Sequence, residues 1–123
     1  MTKKKSTRKH EYENLIDMFP CALYVIRDSV IIDCNNAAVR VFGYQSKEEI
    51  LGQKAYELSP EKQPDGIPSE EKGREILDKV LNSDQELVFK WMHKRKNGDV
   101  FLADIKMFNH DGTLYTVIMD IDE

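Results

Sequence analysis

The chain has 123 residues, of which 41% are hydrophobic and 33% charged. That length and balance support one packed core and exclude general disorder. The formal net charge is −4, but Lys3, Lys4, Lys5, Arg8 and Lys9 crowd the first ten residues with no acid among them, so the body is more acidic than the total. An acidic body with few aromatics between its basic residues is a poor match for nucleic acid, and the basic leader reads as a solvated arm or a connection to upstream sequence. No apolar run reaches the length of a membrane span, and no apolar stretch follows the basic start as a signal peptide requires. The expectations are a cytoplasmic location and no direct membrane insertion.

The elements are predicted in chain order as follows. Residues 11–18 place Tyr12, Leu15, Ile16 and Phe19 on one helical face, and Pro20 ends the run. A β-rich segment, Cys21 to Ile26, turns at Arg27-Asp28-Ser29 and resumes as Val30 to Asp33. Asn35 or Asn36 caps a helix with Ala38, Val41 and Phe42 as apolar positions, and Gly43 stops it. Ser46 and Glu49 have the spacing of a capping box for a short helix carrying Ile50 and Leu51, ended by Gly52. Three prolines and an Asp-Gly pair make the stretch from Ser59 to Ser69 a loop of specific composition. Ser69 then caps a helix to about Asn82 with Gly73, Ile76, Leu77, Val80 and Leu81 on one face.

Three strands finish the chain. Leu87 to Lys96 alternates, with Phe89, Trp91 and His93 on one side. Asn97-Gly98 predicts a two-residue hairpin turn, with both residues at positive φ. Phe101, Ala103, Ile105 and Met107 share a face of the next strand, His110-Asp111-Gly112 turns, and Leu114 to Ile121 returns. The order β-β-α-α-α-β-β-β predicts an α+β fold: one five-stranded antiparallel sheet, order 2-1-5-4-3, with helices on one face and an N-terminal flanking helix.

Asn35-x-Ala37-Ala38, Phe42-Gly43-Tyr44-x-Ser46-x-Glu48-Glu49-Ile50-x-Gly52, Phe89-x-Trp91-x-His93-x-Arg95-x-Asn97-Gly98 and Asp120-Ile121-Asp122 occur in this order. In order and spacing they resemble the PAS domain, the sensory-box module of bacterial signalling proteins. Two departures are Asn-Gly where Asp-Gly is more usual and Asp122 where the terminal signature carries Thr. The resemblance covers about residues 20–122 and divides the chain into a leader and flanking helix, 1–19, and a PAS domain, 20–123. The loop Ser59-Pro60-x-x-Gln63-Pro64-Asp65-Gly66-x-x-Ser69 is similar to loops of PAS modules attached to diguanylate cyclases, histidine kinases and chemoreceptors.

The resemblance implies a module that dimerises and relays, with small-molecule sensing as a further role. Its output would be two-component or cyclic-di-GMP signalling. Tyr12, Leu15, Ile16 and Phe19 are the expected homodimer contact, together with the exposed sheet face. Asp120, Ile121 and Asp122 are the expected relay to a C-terminal output domain, and the chain's stopping there reads as a piece of a larger protein. The expected cavity wall is Tyr24, Ile26, Val39, Phe42, Leu58, Ile76, Val80, Phe89, Trp91, Ile105 and Met107, with core filling as the competing reading. Trp91 fits either that wall or the outer sheet face.

No cofactor is expected. Photoactive flavin members of the family need a cysteine where this chain has Lys54-Ala55-Tyr56-Glu57-Leu58, and haem members need an axial ligand that Ser69 to Ser83 lacks. No metal-ligand spacing, phosphate loop or nucleophile motif is present, so no catalytic residue is assigned. His93 reads as a sheet-surface residue, with pairing to Asp104 the alternative. Cys21 and Cys34 lie at similar distances from the turn between them, which predicts neighbouring thiols that are buried and reduced. A stand-alone interaction adaptor, or a thiol redox sensor using these two cysteines, is the alternative function.

Overall fold

The computed structural model describes residues 15–122. Residues 15–18 are helical, and Tyr12 and the basic leader lie outside the described residues. Strand β1 (Ala22–Arg27) and strand β2 (Val30–Cys34) form a hairpin whose Asp28 and Ser29 both take positive φ, 52° and 66°. Helix α1 (Asn36–Phe42) follows, then short 3-10 turns over Lys47–Glu49 and Ala55–Leu58. Helix α2 (Ser69–Leu81) leads to β3 (Leu87–Lys94), β4 (Val100–His110) and β5 (Thr113–Asp122). All pairings are antiparallel and the sheet order is β2-β1-β5-β4-β3, as the element order predicts.

Asn35, fully buried, explains why the chain turns from β2 into α1 where it does. Its Oδ1 accepts from Leu23 N at 2.9 Å and from Ala38 N at 3.0 Å. Its Nδ2 donates to Ile16 O and Cys21 O, both at 2.9 Å. One side chain thus caps α1 and ties the N-terminal turn to β1. Gly43, at φ 76°, closes α1 in the left-handed conformation that a glycine takes without strain.

Three local expectations are corrected. The run after Gly43 forms a single 3-10 turn rather than an α-helix, and Ser46 makes no side-chain cap. Glu49 reaches Gln45 N at 3.0 Å and Lys96 Nζ at 2.6 Å instead, a charge-assisted contact that outcompetes the box. Ser69 is the first helical residue, not the cap: its Oγ donates to Pro60 O at 2.5 Å. The β3–β4 connection holds positive φ only at Gly98, at 96°. Gly98 N donates to Arg95 O at 2.9 Å and Arg95 N to Asp99 O at 2.7 Å, so the loop is a longer turn with a bulge.

The sheet has two differently covered faces. On one side α1, α2 and the 3-10 turns pack on Tyr24, Ile26, Trp91, Phe101, Ala103, Ile105 and Met107. On the other, Ile16 of the N-terminal turn packs on Leu23, Val25 and Val117, with Cys21 and Tyr115 beside them. Val80 is the buried anchor of α2, whereas Leu81, expected on the same face, is 42% exposed.

Candidate ligand cavity

A cavity of about 270 Å³ lies between α2, the 3-10 turn over Ala55–Leu58 and the helical face of the sheet. Of the residues named for the wall, Tyr24 and Ile26 of β1, Phe89 and Trp91 of β3, Met107 of β4 and Ile76 of α2 line it. Val39, Phe42, Leu58, Val80 and Ile105, expected in the same wall, do not line it. They belong to the packed core around it, where α1 meets the sheet. The sequence reading missed Asp28, Ser29, Lys54, Ala55, Tyr56, Glu70, Gly73, Arg74 and Leu77. The α2 members recur at helical spacing, one turn either side of Gly73, so the periodicity already carried that part of the signal. The others come from a turn and a loop, where no periodicity exists.

Trp91 faces this cavity, not the outer sheet. Its Nε1 donates to Ser59 Oγ at 2.8 Å, and its ring meets Phe89 edge-on at 6.3 Å between centroids. Across from it, Gly73 brings the α2 backbone close: a Cβ at that position would stand 3.7 Å from the indole ring.

His93 is not a surface residue. It is 1% exposed, stacks on Phe101 at 5.1 Å and is hydrogen-bonded through Nε2 to the Tyr24 hydroxyl at 3.3 Å. Its cross-strand partner is Phe101, while Asp104 pairs with Lys90, so no imidazole–carboxylate pair forms. Burial pushes the His93 pKa down to about 3 and raises that of Tyr24, so both stay neutral near pH 7. The side-chain period of β3 placed His93 on the core side with Trp91; its polarity, not its register, led the surface reading astray.

The thiols do not meet. Cys34 pairs with Tyr24 and belongs to the helical face, whereas Cys21 belongs to the opposite face. Burial pushes the Cys34 thiol up to about 11, which keeps it protonated and unreactive at neutral pH. The equal spacing from the turn misled because facing positions on paired strands decide proximity, and the register places Tyr24 there.

At the far end of the sheet Ile121 packs against the main core. Asp120 faces Asp104 across the ladder, and Lys90 Nζ bridges Asp104 at 2.9 Å and Asp122 at 3.0 Å. Hydrogen bonding to Asp104 and then Asp122 raises the Lys90 pKa. In the N-terminal turn, Ile16 is buried, Phe19 is partly open, and Leu15 and Met18 are 71% and 80% exposed. Among the described residues no helix is long and apolar enough to cross a membrane.

The comparisons with known proteins define the class. The PAS domain family matches residues 20–123, and the chain belongs to that family. No curated protein matches the sequence. Among solved structures, the chain is similar to the PAS domain of an HTR-like protein from Haloarcula marismortui, at 18% identity and TM-score 0.73, covering 97% of this chain and 96% of that one. It is similar to a domain of a sensory box sensor histidine kinase/response regulator from Geobacter sulfurreducens, at 17% identity and TM-score 0.73, covering 92% and 94%. A third is the PAS domain, in complex with ethanol, of a LuxR-family transcriptional regulator from Burkholderia thailandensis, at 20% identity and TM-score 0.71, covering 89% and 96%.

Proposed function

We propose that the chain is the sensory input and relay module of a larger bacterial signalling protein in the cytoplasm and is not itself an enzyme. The observation that carries this reading is the half-open, aromatic-lined cavity set between α2 and the sheet of a PAS fold. An occupant there touches Trp91, and through it Ser59 and the loop that follows, while Tyr24 continues to His93 in the core. Its binding free energy biases the packing of α2 on the sheet by the difference in its affinity for the two packings.

The change passes along β5, which borders β1 and β4, to Asp120, Ile121 and Asp122 and on to a C-terminal output domain. A histidine kinase output is supported by the likeness to the Geobacter sulfurreducens domain; a diguanylate cyclase or chemoreceptor output is its equivalent within the same mechanism. Two copies pair through Leu15, Met18 and Phe19 and the exposed sheet face. No haem or flavin is part of this reading, which is supported by the lack of a cysteine in residues 54–58 and of a His, Cys or Met in residues 69–83. The acidic balance of the body argues against nucleic acid as the partner.

The test adds a small-molecule extract of host cells to the purified domain and follows its melting temperature. A rise that saturates with extract, and disappears when Gly73→Leu fills the cavity, is the expected result. A melting temperature indifferent to every extract fraction overturns the sensing role.

A further inference from the structure

We propose that the occupant is a small apolar aromatic molecule of one or two fused rings, whose single polar end stays at the cavity mouth. This rests on the reading of the cavity as a ligand site. Size sets the first limit. An enclosure of about 150 Å³ holds benzene and drug-sized sites begin near 300 Å³, so 270 Å³ suits one ring with a substituent or two fused rings.

The state of the interior polar groups sets the second limit. Two buried polar atoms belong to the lining, the Tyr24 hydroxyl and the Trp91 indole N–H. The first is engaged by His93 Nε2 and the second by Ser59 Oγ. A carboxylate or carbonyl carried deep into the cavity would leave water and find the indole N–H already taken, a heavy penalty, while the Tyr24 oxygen offers at most one acceptor site to a single donor. The remaining polar lining residues, Asp28, Ser29, Lys54, Tyr56, Glu70 and Arg74, are exposed or half-buried and form the mouth.

What the interior offers is aromatic and sulfur surface. Phe89 and Trp91 present perpendicular rings, Met107 adds its thioether, and Ile26 and Ile76 close the sides. Gly73 lets the α2 backbone close on the edge of the Trp91 indole, with room for about a methyl group between them, so this position sets the width of the cavity there. The mouth carries both signs of charge, and Arg74 is engaged with Glu70 at 3.4 Å. Charge therefore does not select the guest there; the polar end is only kept in water.

Trp91 is the sole tryptophan, so its fluorescence reports the cavity directly. The experiment titrates the purified chain with toluene, indane and benzyl alcohol, and in parallel with adenine and citrate. Melting temperature serves as the second readout. Saturable changes are expected with the three apolar or singly polar probes, indane binding about tenfold tighter than toluene for its added methylenes. All three responses vanish in Gly73→Leu. Should that variant not fold, Gly73→Ala, whose methyl makes ordinary contact with Trp91, weakens indane more than toluene.

If adenine or citrate alone saturates the signal, and Gly73→Leu abolishes it, the chemical class is wrong while the ligand site stands. If apolar probes bind equally well to the Gly73 variants, they bind elsewhere and the assignment fails. If no probe acts, the class and the ligand site fall together.

Discussion

His93 shows what a single buried base does to a small domain. Its pKa is pushed from an ordinary 6.5 to about 3 by burial, so between those values the unfolded chain binds a proton that the folded chain refuses. Stability therefore falls as pH drops from about 6.5 toward 3, by up to about 1.4 kcal/mol per pH unit, and is constant in this respect above 6.5. The His93→Leu variant is expected to lose that slope. Urea unfolding at pH 6.5 and 4.5 checks it: the difference in stability between the two pH values shrinks by about 2 kcal/mol in the variant. An equal acid sensitivity in both proteins would place the titrating group elsewhere. Asn35 makes the complementary point, a polar side chain buried at no penalty because both ends of its amide are used.

Elements are shaped by what closes their edges. The outer edge of β2 is occupied by the segment after Gly52, through Ile31 N to Gln53 O and Gly52 N to Ile31 O, both 2.9 Å. The outer edge of β3 is occupied by one side chain. Gln63 Oε1 accepts from Met92 N at 2.9 Å and its Nε2 donates to Met92 O at 3.1 Å, imitating a neighbouring strand. Ser69 Oγ, at 2.9 Å, holds the same amide in place. The Ser59–Ser69 loop is thus a clamp: Ser59 holds Trp91, Gln63 holds β3, and Ser69 starts α2.

Replacing Gln63 by Ala strands both Met92 groups and is expected to cost about 2 kcal/mol, with faster hydrogen exchange at the Met92 amide. Unchanged protection at that amide would remove the clamp from the account. In the β3–β4 connection, Gly98→Val puts a β-branched side chain at φ 96° and is expected to cost about 1–3 kcal/mol by denaturant unfolding. Asn97 is not at positive φ and carries no such demand. The elements and their strand order were legible because alternation, caps and glycines are local signals, and the antiparallel pairing follows from their sequence. The exact turn types were not, since Glu49 and Arg95 are decided by partners distant in the chain, Lys96 and Val41. The cavity was half legible for the same reason: strand and helix positions follow a period, while Asp28, Lys54 and Tyr56 reach it from irregular segments.

At the scale of the whole molecule, the N-terminal turn has two jobs that the sequence merged into one helical face. Ile16 is 7% exposed, packs on Leu23, Val25 and Val117, and its carbonyl holds Asn35. Leu15, its neighbour, is 71% exposed and touches the surface that the proposed second copy would cover. Charge placed at the two sites must therefore act on different equilibria. Ile16→Lys buries an unpaired ammonium, so the monomer itself is expected to lose several kcal/mol, its melting transition dropping sharply or vanishing. Leu15→Lys leaves the fold's melting temperature of the dilute protein within a degree or two but weakens pairing, by tenfold or more in the dissociation constant for one central apolar contact. Sedimentation equilibrium of both variants beside thermal unfolding separates the outcomes. A Leu15→Lys chain that pairs as well as the parent would move the contact off the N-terminal turn, and the outer face of the stacked Phe108 and Tyr115, 5.4 Å apart, would be the next surface to charge.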